Sequence, residues 1–167
     1  RGRALIGLGK LAWIQGDFNQ ALLLGSESLN LFHGLEDIEN VAKSLNLLGL
    51  IALYKNELDH ARILFEQALV FRRAVGDQYD IASTSLNLGL VWAYQNNYPK
   101  AKLPLEESLA ISHLLQTSVF TGVCLTNLGY NELYNGDHGS AFTYFREAAP
   151  LSLGQGDREG VVWCLEG

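Results

Sequence analysis

The strongest constraint on how this chain can fold is a period of 40 residues. Gly9, Gly49, Gly89 and Gly129 stand 40 apart, and each follows a leucine: Leu8, Leu48, Leu88 and Leu128. Twelve residues further on come Ala21, Ala61, Ala101 and Ala141. Four after those alanines lie Gly25, Phe65, Leu105 and Phe145, and seven after them Ser28, Ala68, Ser108 and Ala148. Ten after them lie Leu31, Phe71, Ile111 and Leu151. Four copies hold this register with no insertion or deletion. Such a period points to one supersecondary unit stacked on copies of itself.

Each copy reads as two helices. Apolar residues follow three–four spacing, as in Ala61, Leu64, Phe65, Ala68 and Leu69. Residues that cap helix starts recur at Asp37, Asp77, Thr117 and Asp157 before first helices, and at Asp17, Asn97 and Asp137 before second helices. Their side chains accept the orphan amide hydrogens of a first turn, and Glu57 is the exception in the series. The expected helices are 1–15, 18–33, 38–55, 58–74, 78–95, 98–114, 118–135 and 138–152, with a ninth starting near 158. The fold class expected is all-α, in a single domain over 1–167 with repeats 1–36, 37–76, 77–116, 117–156 and a partial 157–167.

Composition fits this once the period is known. The chain has 17 glycines in 167 residues, a number that alone argues against helices. The four Leu-Gly sites fall inside first helices, where Gly costs about 1 kcal/mol against Ala. A small residue there is expected to admit the partner helix closely, with the recurring alanines as the matching surface. Gly16, Gly76, Gly136 and Gly156 are expected at helix ends. With no Met, the chain is expected to be a segment of a longer protein, and its end at 167 is expected to fall within a fifth repeat and to expose an apolar end face.

Charge and cysteine content bound the function. A net charge of −6, with basic residues scattered, argues against direct nucleic-acid contact by this segment. Cys124 and Cys164 make no disulfide framework and fit a reducing, cytoplasmic setting. No apolar run is long enough to span a membrane. His33, His60, His113 and His138 form no ligand motif, so no metal is expected. Cys124 shares its register with Ser44 and Thr84, which suggests that a small buried side chain is required there. No nucleophile–base spacing and no phosphate loop can be assembled, so neither enzyme activity nor a cofactor is expected.

The Gly…Ala…Phe…Ala helical hairpin resembles the tetratricopeptide repeat along the whole chain, in a form six residues longer than the usual 34. That resemblance implies a right-handed α-α superhelix of four hairpins plus the start of a fifth. Segments such as SLNLGLVWAYQNNYPKAKLPLEESLAI and GDFNQALLLGSESLNLF are similar to the repeat regions of bacterial LuxR-type, MalT-like signal-transduction ATPase regulators. In those proteins an ATPase module and a DNA-binding module accompany the repeats. Some positions depart from the pattern. Pro104 and Pro150 are expected to bend second helices, Gly25 to loosen the first repeat, and His138 replaces an apolar or aromatic residue.

In arrays of this family the first helices line a concave groove. Six before the repeat glycine stand Arg3, Lys43, Ser83 and Val123; two before it stand Gly7, Leu47, Asn87 and Asn127. One after it come Lys10, Leu50, Leu90 and Tyr130, and five after it Ile14, Tyr54, Tyr94 and Tyr134. Asn can donate and accept toward a peptide backbone, and Tyr offers an apolar face with a polar tip. The candidate peptide or ligand groove is therefore Lys43, Asn87, Asn127, Tyr54, Tyr94, Tyr130 and Tyr134. The other reading, tyrosines packed between helices with hydroxyls in solvent, stays open. Only Lys43, Asn87 and Asn127 resemble parts of the basic clamp that some chaperone-binding members use, so a chaperone-tail receptor is not expected.

The expected function is a non-catalytic protein-interaction and regulatory module of a bacterial transcription regulator. The alternatives are a stand-alone scaffold or peptide receptor and a small-molecule effector sensor. Expected partners are a protein or peptide, other domains of the parent protein, or a second copy through exposed terminal repeats.

Overall fold

A computed structural model describes residues 1–154, and every regular element among them is an α-helix. The order is α1 (Gly2–Ile14), α2 (Phe18–Gly34), α3 (Ile38–Tyr54), α4 (Leu58–Val75), α5 (Gln78–Tyr94), α6 (Tyr98–Leu114), α7 (Thr121–Tyr134) and α8 (His138–Gly154). The expected partial repeat 157–167, with its helix near 158 and Cys164, lies outside the described residues. Two compact units divide the chain after Asp77, where the third repeat begins. In the first, α1 packs on α2, α2 on α3 and α3 on α4, with α1 also touching α3; α5 to α8 repeat this order in the second.

The helix starts follow from capping. Asp17 accepts the Gln20 amide at 3.0 Å, Asp37 that of Asn40 at 3.1 Å and Asp137 that of Ser140 at 3.0 Å. Asn97 accepts the Lys100 amide at 3.4 Å, while Glu57 makes no side-chain cap bond. The bond from the Asn40 side chain holds the Asp37 carboxyl below its usual range, and the Ser140 amide does the same for Asp137. Thr117 departs from expectation. Its hydroxyl accepts the amide of Val119, two residues on, instead of capping a helix, and α7 starts only at Thr121. Phe120 is then free to bury and to set its ring 5.0 Å from Tyr79.

The helix ends share one device. Gly16, Glu36, Asn56, Gly76, Asn96, Gln116 and Gly136 all have positive φ, between 53° and 86°. They stand 20 residues apart, so the turn within a hairpin and the turn between hairpins have the same left-handed residue. Three positions are glycine and two are asparagine, which enter this region most cheaply.

The repeat glycines pack as expected in kind but not in partner. A Cβ at Gly49 would lie 2.6 Å from the Phe65 ring, and one at Gly129 2.6 Å from the Phe145 ring. At Gly89 the neighbour is the Leu105 side chain, also at 2.6 Å. In these three hairpins the side chain four residues after the recurring alanine lies on the glycine, and the two form the joint of the hairpin. The first repeat has no ring there. Leu47 instead covers Gly9 at 2.8 Å, and Leu48 approaches a Cβ at Gly25 to 2.9 Å. The first repeat is therefore filled by α3 side chains, not left loose. Helix α6 continues through Pro104 and α8 through Pro150.

Within each unit the second helix of one hairpin meets the first helix of the next through a small pair. Ser28 and Ser44 hydroxyls lie 2.8 Å apart, with Ser28 also donating to Gly25 O and Ser44 to Asn40 O. The corresponding pair in the second unit is Ser108 with Cys124. Ser44, Thr84 and Cys124 are all fully buried, so the register does hold a small buried side chain. Burial pushes the Cys124 thiol up to about 11, while the Ser108 hydroxyl pulls it the other way.

Gly49→Ala forces its methyl into the Phe65 ring and should lower stability by about 1–2 kcal/mol net of the gain in helix propensity. Gly7→Ala meets no atom within 4 Å and should raise stability by up to about 1 kcal/mol. Urea unfolding of both variants checks the opposite signs. For Cys124 the folded state favours the protonated thiol. Its contribution is therefore complete below the unfolded value of 9.0 and is lost as pH rises toward about 11. A Cys164→Ser protein should lose stability over that window, and further replacement by Cys124→Ala should remove that part of the loss. The same Cys164→Ser protein should react with a thiol reagent at pH 8 only as fast as it opens.

Candidate functional site

The expected groove residues fall in both units. In the first, α1 and α3 set their exposed sides around a cleft of about 390 Å³. Helix α1 supplies Arg3, Ile6, Gly7 and Lys10, and α3 supplies Glu39, Asn40 and Lys43. The spacing explains the gathering: residues 3, 7 and 10 lie on one stripe of a helix, as do 39, 40 and 43. Lys43 Nζ lies 2.5 Å from Glu39 Oε1 across one turn. Asn40 is buried and donates through Nδ2 to Asp37 Oδ2 at 2.8 Å.

Lys43 thus lines this cleft, whereas Tyr54 does not join it. Eleven residues separate them on α3, about 16 Å along the axis. Tyr54 is exposed at the end of α3, and its ring stacks on Phe18 at 4.8 Å. Leu47, two before the repeat glycine, is fully buried instead of lining the face.

The second unit holds the other expected residues. Asn87 on α5 and Asn127 on α7 are half-buried, and Asn127 Nδ2 donates to its own helix at Val123 O, 2.9 Å away. Tyr94 is exposed at the end of α5. Tyr130 is half-buried with its ring edge-on to Phe145 at 5.2 Å. Tyr134 is exposed, and its ring stacks 4.1 Å from Tyr98 at an angle of 12°. Tyr54 on Phe18 and Tyr134 on Tyr98 are the same contact in two repeats: the last residue of a first helix lies on the first residue of the preceding second helix. Both rings pack one face and leave the other to solvent. Burial pushes the Tyr98 hydroxyl up to about 12, with Tyr134 adding to the rise, and that hydroxyl donates to Asn96 Oδ1 at 3.3 Å.

Three features here were not carried into the expected groove. Arg3 and Lys10 sit in the registers of Lys43 and Tyr130, and would have been found by reading each register for charge. Asn131 is fully buried, donates to the Tyr98 carbonyl and accepts from Asn135 Nδ2 at 2.9 Å. Glu132 beside it, with a side chain only 10% exposed, pairs with Lys102 at 2.7 Å and raises the Lys102 ammonium. The signal was present in the pattern: Leu11, Ile51 and Val91 stand where Asn131 does, and Ala12, Ala52 and Trp92 where Glu132 does.

His33 borders a second, mostly apolar cleft of about 340 Å³ with Leu29, Val41, Leu45, Gln67, Val70 and Phe71. Among the described residues no group of three His, Cys, Asp or Glu side chains is placed to hold a metal ion. None of the helices among them is long and apolar enough to cross a membrane.

A family model described as "Tetratricopeptide repeat" matches residues 41–77. No curated protein matches the sequence. Among solved structures, the apo form of RapI superposes with a TM-score of 0.86 at 18% identity, over 95% of this chain. This chain spans only 58% of the RapI chain. MamA superposes at 0.69 with 22% identity, over 93% of this chain and 81% of its own. BtubC (BKLC) from P. vanneervenii superposes at 0.68 with 19% identity, over 95% and 74%. These likenesses establish the fold as an all-α helical repeat of the tetratricopeptide type. Tyr134→Ala removes the stack on Tyr98 and should cost about 1 kcal/mol. Urea unfolding with intact helical circular dichroism at zero denaturant checks it.

Proposed function

We propose that this chain is a non-catalytic protein-interaction module that takes peptide segments on the exposed sides of its first helices. Helical repeats of this type generally bind proteins. The observation that carries the reading is the α1–α3 cleft, where charged side chains from two successive first helices converge around an open floor at Gly7. In the second unit Asn87, Asn127 and Tyr130 are the residues of the same kind. Tyr54 in the first unit, and Tyr94 and Tyr134 in the second, are further contacts exposed at first-helix ends; the rings of Tyr54 and Tyr134, already packed on one face, offer the other at low entropic cost.

Within this reading the parent protein is a bacterial transcription regulator, cytoplasmic, with ATPase and DNA-binding modules elsewhere in the same gene. What supports this is the wording of the long repeats and their resemblance to LuxR-type, MalT-like regulators. The complete gene tests that part: a coding sequence with neither module overturns the regulator and leaves the interaction module standing.

The interaction itself is tested by selecting peptides from a random display library on the purified protein. Selected peptides should lose about tenfold or more in affinity to Lys43→Ala or to the double variant Asn87→Ala, Asn127→Ala. Peptides whose binding ignores both variants, or a library that yields no binder, would overturn the assignment.

A further inference from the structure

We infer that the α1–α3 cleft selects acidic peptide segments in extended conformation. The inference rests on the interaction reading above and names the chemistry of its ligand.

Charge is the first ground. The chain as a whole carries −6, yet residues 1–16 contain Arg1, Arg3 and Lys10 and no Asp or Glu. Arg1 is turned away to Glu27 on α2, at 2.9 Å. Arg3 and Lys10 stay on the cleft, where α3 adds Lys43. Three cations therefore face one carboxylate, Glu39, which is already engaged by Lys43. The nearby Asp37 feels Arg3, but its carboxyl is committed to the Asn40 amide and side chain. The cleft keeps a positive excess on an acidic molecule, which steers anionic segments toward it.

Shape is the second ground. Between Arg3 and Lys10 lies Gly7, and an added Cβ there meets nothing within 4 Å. The missing side chain keeps the floor clear, and buried Ile6 lies beside it. Spacing then chooses the ligand. Seven helical residues separate the two α1 cations by about 10 Å. One inorganic phosphate cannot bridge that distance. An extended peptide advances about 3.3 Å per residue, so carboxylates two to four residues apart reach both cations. Arg3 can hold one of them with its two-pronged guanidinium, and Lys10 the other as a point charge. Nucleic acid fits less well, because its binding draws on neutralising successive phosphates with Lys and Arg, and this cleft has three cations on a chain of net charge −6.

The test uses the whole chain and a fluorescent, acetylated and amidated octapeptide of alternating Glu and Ala, followed by polarisation at low salt. A Gln–Ala octapeptide is the neutral control. The Glu peptide should bind saturably and the Gln peptide should not, with affinity falling as salt is added. Arg3→Glu and Lys10→Glu should each weaken binding about tenfold or more. Lys55→Glu, which changes the net charge equally away from the cleft, should leave it within about twofold. Gly7→Leu should weaken it without changing any charge. Circular dichroism confirms that each variant is folded.

No binding of the Glu peptide, or equal loss in Lys10→Glu and Lys55→Glu, overturns the inference. So does displacement of the peptide by inorganic phosphate beyond an equal ionic strength of chloride. Tighter binding of a single-stranded oligonucleotide, lost in Arg3→Glu, overturns it in favour of nucleic acid. Library peptides that depend on Lys43 or Asn127 but carry no acidic residues would overturn the acidic preference alone and leave the interaction module intact.

Discussion

Everything in this molecule hangs on the contact between a helical glycine and the side chain laid across it. Gly49 under Phe65 and Gly129 under Phe145 bring two helices closer than any Cβ would allow. A glycine inside a helix is locally unfavourable, by about 1 kcal/mol. The ring that covers it gains far more through buried area, since a fully buried Phe side chain stabilises by roughly 1.5–3 kcal/mol. The trade explains why the glycine recurs where propensity alone would place alanine. The first hairpin shows that the requirement is for filled space and not for a ring, because Leu47 reaches Gly9 from α3 when residue 25 has no side chain to offer.

That joint also decides what is left for function. With the glycine side of each first helix committed to its partner, residues one and six places away face outward. On α1 these are Lys10 and Arg3, with Gly7 between them. Their chemistry is not constrained by packing, which is why the outward registers vary among copies while the glycine, leucine and alanine registers do not. The fourth copy departs in buried registers too: Asn131 and Glu132 replace apolar residues, and each is compensated by a named partner, the Tyr98 carbonyl and Lys102.

The period made the fold legible, because four copies in register leave few ways to bury the same apolar stripe. Helix boundaries were readable where an Asp or Asn caps through its side chain. They slipped at Thr117, whose hydroxyl can serve either a cap or a tight turn, and the residues that follow chose the turn. The face of the site was less legible for a related reason. A register says which way a side chain points on an ideal hairpin, not what neighbour arrives there. Leu47 shared a register with Asn87 and Asn127 but is buried against Gly9, where it takes the place of the side chain that Gly25 lacks. The tyrosines at 54 and 134 share a groove register in the sequence, but their stacking partners, Phe18 and Tyr98, lie 36 residues earlier and belong to a different hairpin.

The left-handed residues every 20 positions make the helix, and not the hairpin, the unit of chain reversal. The left-handed residue does not distinguish a turn inside a repeat from a turn between repeats. A duplicated or deleted stretch of 20 residues would therefore keep every turn intact and yet put each glycine where a covering ring should be. A stretch of 40 would restore both. The array can grow or shrink only in even steps, and the packing alphabet, not the backbone, sets that parity.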